Sequence, residues 1–151
     1  MKPNQSTHLK WLIRALASLF TFLGTLKFVA ISGETTLMTT ASPVFNFLTY
    51  RQMILLAALL ETGVGIYGLL TNSTVLALAA LSWATSLLVG YRILLHWTGV
   101  SLPCSCLGPS AVWFGWTAPF ERLVTGWLLV SMVLVCALGW FLSRNNRPID
   151  R

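Results

Sequence analysis

The chain predicts an all-α fold: a polytopic integral membrane protein built as a four-transmembrane-helix bundle. Composition and block length carry this reading. Of 151 residues, 56% are hydrophobic and only 9% are charged, against about 25% charged in an average soluble domain. The mean hydropathy is +0.74. The apolar residues gather into four blocks of about 20 residues, the length that crosses a hydrocarbon core of roughly 30 Å. Only a helix satisfies every backbone polar group of a segment that crosses lipid alone. Residues 1-151 are expected to form one membrane domain whose first partner is the lipid bilayer.

The first block runs from about Trp11 to Ser32, the second from Met53 to Leu70, the third from Val75 to Leu95 and the fourth from Leu123 to Leu142. Lys2 and Lys10 ahead of the first block give it the look of a signal peptide, but it is long and has no clean small-residue cleavage site, so it is expected to be a retained helix. Only Thr71-Asn72-Ser73-Thr74 joins the second and third blocks, which predicts a tight antiparallel hairpin. The Asn72-Ser73-Thr74 sequon lies too close to the membrane to act as a glycosylation site. Two longer connections, from Gly33 to Gln52 and from His96 to Arg122, fall on one side of the bundle by helix alternation. No internal repeat or low-complexity segment stands out.

The net charge of +6 sits at the block edges. Lys2, Lys10, Arg14, Arg144, Arg147 and Arg151 flank the termini, while the long connections hold Arg51 and Arg122. By the positive-inside rule both termini are cytoplasmic and the long connections face the periplasm, or the outside of a cell with one membrane. No soluble basic face is left for a duplex, which excludes nucleic acid as a partner. Trp11, Tyr50, Tyr91, Trp97, Trp113, Trp116 and Trp140 are expected in the interfacial aromatic belts.

Chemistry concentrates in Pro103-Cys104-Ser105-Cys106-Leu107-Gly108-Pro109. The flanking prolines and the glycine rule out a helix through the pair. An extended strand puts residues i and i+2 near or past the Cα separation that a disulfide bridges, about 4.4 to 6.8 Å, so a bond between Cys104 and Cys106 needs a bent backbone and carries strain. Strained, exposed disulfides are the labile or catalytic kind, which suits exchange better than stapling. Two other readings stay open: an inert local bridge or packed thiols, and a zinc or copper site using His96, Cys104 and Cys106. Haem attachment requires Cys-x-x-Cys-His, which the sequence lacks. No cofactor is expected. Cys136, among Leu134, Val135, Ala137 and Leu138, reads as a small buried apolar residue that does not pair with the connection.

Three ionisable residues interrupt the apolar blocks: Lys27, Glu61 and Arg92. Each costs roughly 2.5 to 3.5 kcal/mol on insertion, so such groups turn inward and find partners. At about 1.5 Å per residue, Lys27 lies about 8 Å, Glu61 about 12 Å and Arg92 about 5 Å inside the outer block ends. They are expected to form one supporting charge cluster beneath the cysteine connection, favouring a thiolate or an anionic ligand. The alternative has Lys27 and Arg92 snorkelling outward while Glu61 serves helix packing. Arg14 reads as a snorkelling anchor, Glu121-Arg122 as a cap pair, and Gly63, Gly65 and Gly68 as small residues for close helix approach.

With these residues in view, the chain resembles the MauE/DoxX family of redox-associated four-helix membrane proteins. The resemblance rests on Gly24-Thr25-Leu26-Lys27-Phe28, on Leu59-Leu60-Glu61-Thr62-Gly63, and on Tyr91-Arg92 leading through Trp97-Thr98-Gly99 to Pro103-Cys104-Ser105-Cys106-Leu107-Gly108. It covers about residues 11 to 142. It implies a bacterial inner-membrane protein of thiol-disulfide chemistry, acting with a periplasmic thioredoxin-like protein or a disulfide-containing client. In MauE proper that chemistry serves maturation of methylamine dehydrogenase. Cys104 and Cys106 take the redox role by this resemblance, with Lys27, Glu61 and Arg92 in support. Two alternatives stand beside it: a non-catalytic accessory or assembly subunit of a larger membrane complex, and a small-molecule or ion carrier using the charge cluster.

Overall fold

The computed structural model of the chain describes residues 3–32, 47–97, 115 and 117–145. Among them are four helices and no β-strand: α1 (Pro3–Ile31), α2 (Tyr50–Leu70), α3 (Thr74–Trp97) and α4 (Ala118–Asn145). Each is long and apolar enough to cross a membrane, over Thr7–Val29, Tyr50–Leu70, Thr74–Trp97 and Leu123–Arg144. The molecule is an all-α, multi-pass membrane bundle.

All four helices begin earlier than their apolar blocks, α1 and α4 by the most. α1 starts at Pro3 and α4 at Ala118, with Pro119 in its first turn. Proline suits a first turn, where its missing N–H has no helical partner to lose and its φ is already helical. The polar run Asn4-Gln5-Ser6-Thr7-His8 then continues α1 beyond the apolar stretch. Hydropathy marks the part that needs lipid, and the hydrogen-bonded helix runs past it.

The ends of α2 are set locally. Thr49, with φ −75° and ψ 156°, accepts from Gln52 N at 3.3 Å, and its own N–H donates to Gln52 Oε1 at 2.9 Å, a reciprocal capping box. At the other end the Thr71 N–H donates to Tyr67 O at 2.9 Å. Ser73 Oγ accepts from Leu76 N at 3.4 Å as α3 begins. Thr71-Asn72-Ser73 is therefore the whole turn between α2 and α3, which run antiparallel.

Glycine contacts and side-chain hydrogen bonds give the other directions. Gly24 of α1 lies against Thr62 and Ala58 of α2, and Gly65 lies against Thr21 and Ala17, so rising numbers on one helix meet falling numbers on the other. Along α3 and α4, Arg92 meets Thr125, Thr85 meets Cys136 and Ser82 meets Trp140, again antiparallel. The topology is up-down-up-down, with α1 touching all three other helices and packing most extensively on α2. Both described chain ends, at Pro3 and Asn145, lie at one end of the bundle. Both long connections leave from the opposite end, here called the loop end.

The core follows helical periodicity. Leu9, Ile13, Leu16, Ala17 and Phe20 of α1 face Ala77, Leu78, Leu81 and Ala84 of α3 and Leu129, Met132 and Cys136 of α4. On α2 the buried face is Tyr50, Ile54, Ala58, Glu61, Gly65 and Gly68, half of them small residues. Lipid is as apolar as leucine, so close van der Waals packing rather than the hydrophobic effect holds helices together there, and small faces permit it. The outward surfaces stay apolar. Trp11 and Trp97 are 68% and 81% exposed near opposite ends of the bundle, as interfacial tryptophans are. Tyr50 departs from the expected belt: it is buried with Ile54 beside Ile31.

Candidate functional site

The α1/α2 crossing is built from one pattern used twice. Ala17, Thr21 and Gly24 on α1 have the same spacing as Ala58, Thr62 and Gly65 on α2. A Cβ on Gly24 would lie 2.8 Å from Thr62 N and 2.9 Å from Ala58 O, and one on Gly65 would lie 2.7 Å from Thr21 N and 2.8 Å from Ala17 O. The two helices thus meet backbone to backbone about a local two-fold axis. Thr21 Oγ1 donates to Ala17 O at 3.0 Å. Thr62 Oγ1 has no conventional partner and lies against Gly24, the geometry of a weak Cα–H···O contact between helices. This repeat was missed because it is only eight residues long and its halves share three positions. Of the three glycines assigned to packing on α2, Gly65 and Gly68 meet α1, but Gly63 faces open space.

One residue along α2 from that crossing is Glu61, and three along α1 is Lys27. Lys27 Nζ donates to Glu61 Oε1 in a direct ion pair. Each side chain is only 1% exposed. The second carboxylate oxygen, Oε2, is buried with no hydrogen-bond partner among the described residues. Lys27 lies about 6 Å, or one turn, from the loop end of α1, and Glu61 lies at about the middle of α2.

Arg92 stands apart from this pair. It is half-buried, and its Nη2 donates at 3.0 Å to Thr125 Oγ1 on α4, which is fully buried. Of the three predicted charges, Lys27 and Glu61 bond α1 to α2, and Arg92 bonds α3 to α4 in the loop-end half. Thr125 was not singled out from the sequence, where a threonine in an apolar block carries no mark. Removing its hydroxyl as Thr125→Val is expected to lower the thermal unfolding transition in mild detergent by about 1 kcal/mol, the scale of an interhelical hydrogen bond in membranes. An unshifted transition would show that the bond does not hold the α3/α4 pair.

Cys104 and Cys106 lie outside the described residues, as do Trp113, Trp116 and the Glu121 and Arg122 side chains. His96 is exposed near the end of α3. Among the described residues no three His, Cys, Asp or Glu side chains converge. Cys136 is a buried free thiol, 3.8 Å from Thr85 Oγ1.

Fold and site together define a class: a four-helix membrane protein with a buried, singly bonded ion pair beneath its loop end. Comparison with protein-family models, with characterised proteins and with solved structures finds no significant match for this chain.

Proposed function

We propose that this chain is an inner-membrane thiol-disulfide redox protein, similar to the MauE/DoxX family, with both termini cytoplasmic. Its Cys-x-Cys connection exchanges disulfides with a periplasmic thioredoxin-like protein or a disulfide-containing client and supports that partner's maturation. A thiolate at Cys104 or Cys106 attacks the partner disulfide and displaces one partner thiolate. The other cysteine then attacks the mixed disulfide and releases the second. The pair here is oxidised, the partner is reduced by two electrons, and the reverse sequence runs the current backwards.

The observation that supports this reading most is the helix direction. The segment carrying both cysteines starts from Trp97 and returns at Ala118, at the end of the bundle opposite Pro3 and Asn145 and nearest to Lys27. The basic termini favour the cytoplasm, which supports an oxidising compartment for that connection.

The test is trapping in cells. Cys104→Ser or Cys106→Ser is expected to leave one thiol in a mixed disulfide, seen as a higher band on non-reducing gels that reductant collapses. In the wild type the pair is expected to show both thiol and disulfide forms after alkylation. If neither serine variant captures a partner and the wild-type pair holds one redox form, the exchange reading fails and an accessory-subunit role takes its place.

A further inference from the structure

We propose that the Lys27–Glu61 pair is a proton-binding site that works as a switch: a proton taken up at Glu61 Oε2 releases Lys27 Nζ toward the loop end. The assignment does not depend on cysteine chemistry.

A carboxylate offers two acceptor oxygens. In Glu61 one takes Lys27 and the other is buried without a partner. Oε2 is a buried acceptor that no group among the described residues bonds. The ligand it suits is a proton, because α1 and α2 already touch backbone to backbone at Gly24 and Thr62, the residue next to Glu61. The ionisable groups in this half from the helices packed on α2 are Lys27 of α1 and Tyr91, Arg92 and His96 of α3. Of these, Lys27 alone bonds Glu61.

The two partners differ in what they do once uncoupled. Lys27 lies about one turn from the end of α1, a distance its four-carbon stem spans by snorkelling. Glu61 lies about three turns inside α2, on a stem of two methylenes, and stays where it is. Protonation therefore moves an ammonium rather than a carboxyl. The ion pair is neutral and closed. The protonated state carries one positive charge at the loop end, its proton drawn from the solvent on that side.

The chain has only three lysines, Lys2, Lys10 and Lys27, so amine labelling reads the switch directly. Full-length protein in lipid nanodiscs at alkaline pH is treated with a water-soluble acetylating ester and the peptides are quantified by mass spectrometry. Wild-type Lys27 is expected to stay unlabelled while Lys2 and Lys10 react. In Glu61→Gln, which cannot carry the negative charge, labelling of Lys27 is expected to rise about tenfold or more, as a minor open state becomes the main one. A second measurement uses the wild type alone: an apolar carbodiimide, which couples to protonated carboxyls within lipid, should form an adduct at Glu61 that increases on mild acidification. The proposal is overturned if Lys27 stays closed in a helical, monodisperse Glu61→Gln protein, or if Glu61 gains no adduct at any pH. Should the variant not fold, the carbodiimide result decides.

Discussion

Lys27→Met is expected to cost about 3 to 5 kcal/mol of stability, and Lys27→Met combined with Glu61→Met to return most of it. The reason is an asymmetry between breaking a buried ion pair and replacing it. Taking away the cation strands a carboxylate that is 1% exposed on a stem too short to reach the surface, which is the expensive state and leaves it either buried as a charge or held protonated. Taking away both charges leaves two flexible apolar side chains of similar length on a lipid-like interior, which buried ion pairs often match or fall short of in stability. Thermal unfolding in mild detergent, run on wild type, both single variants and the double variant, gives the coupling directly. The single variants are not expected to be equal. Lys27 can reach the loop end when abandoned, whereas Glu61 cannot, so Glu61→Met should be the milder loss. If the double variant is as damaged as Lys27→Met, the pair is not the isolated two-body contact described above.

The same residues show what a sequence reveals about a membrane bundle and what it withholds. Span positions were legible because lipid imposes a length and a composition that no soluble helix must meet. Helix ends were not, since the polar turn after Pro3 obeys backbone hydrogen bonding rather than hydropathy. Depth was legible in part: Lys27 and Arg92 fall in the loop-end half, and Glu61 lies at about the middle of α2. Angle was not. Depth arithmetic counts along the axis, and at 3.6 residues per turn one position changes the direction of a side chain by about 100°. Glu61 points at α1 and Arg92 at α4, so three charges expected in one cluster belong to two helix pairs. Pairing depends on how α1 rotates against α2, which the close approach at Gly24 and Gly65 decides.

That approach sets the second large effect. Gly24→Ala and Gly65→Ala are each expected to destabilise the bundle by about 2 to 3 kcal/mol, the scale of forced overpacking. The added methyl would meet the facing threonine hydroxyl and, behind it, backbone N and O atoms at 2.7 to 2.9 Å that cannot swing aside. No rotamer change relieves that, and the helices must part. Gly139→Ala presses instead on Leu78 Cδ1 at 2.8 Å, the far end of a flexible side chain, and should cost less. Gly63, Gly90 and Gly126 face open space, so alanine there is expected to be neutral or to add up to about 1 kcal/mol through helix propensity. The local two-fold axis adds a sharper expectation. Gly24 and Gly65 guard the same crossing, so once one alanine has parted α1 from α2 the second has less to disturb, and the double variant should fall short of the sum of the singles. Unfolding transitions of the six alanine variants and the double variant test this together. Equal effects at Gly63 and Gly65, which are two residues apart on one helix, would mean that α1 does not pack on the face of α2 that carries Glu61.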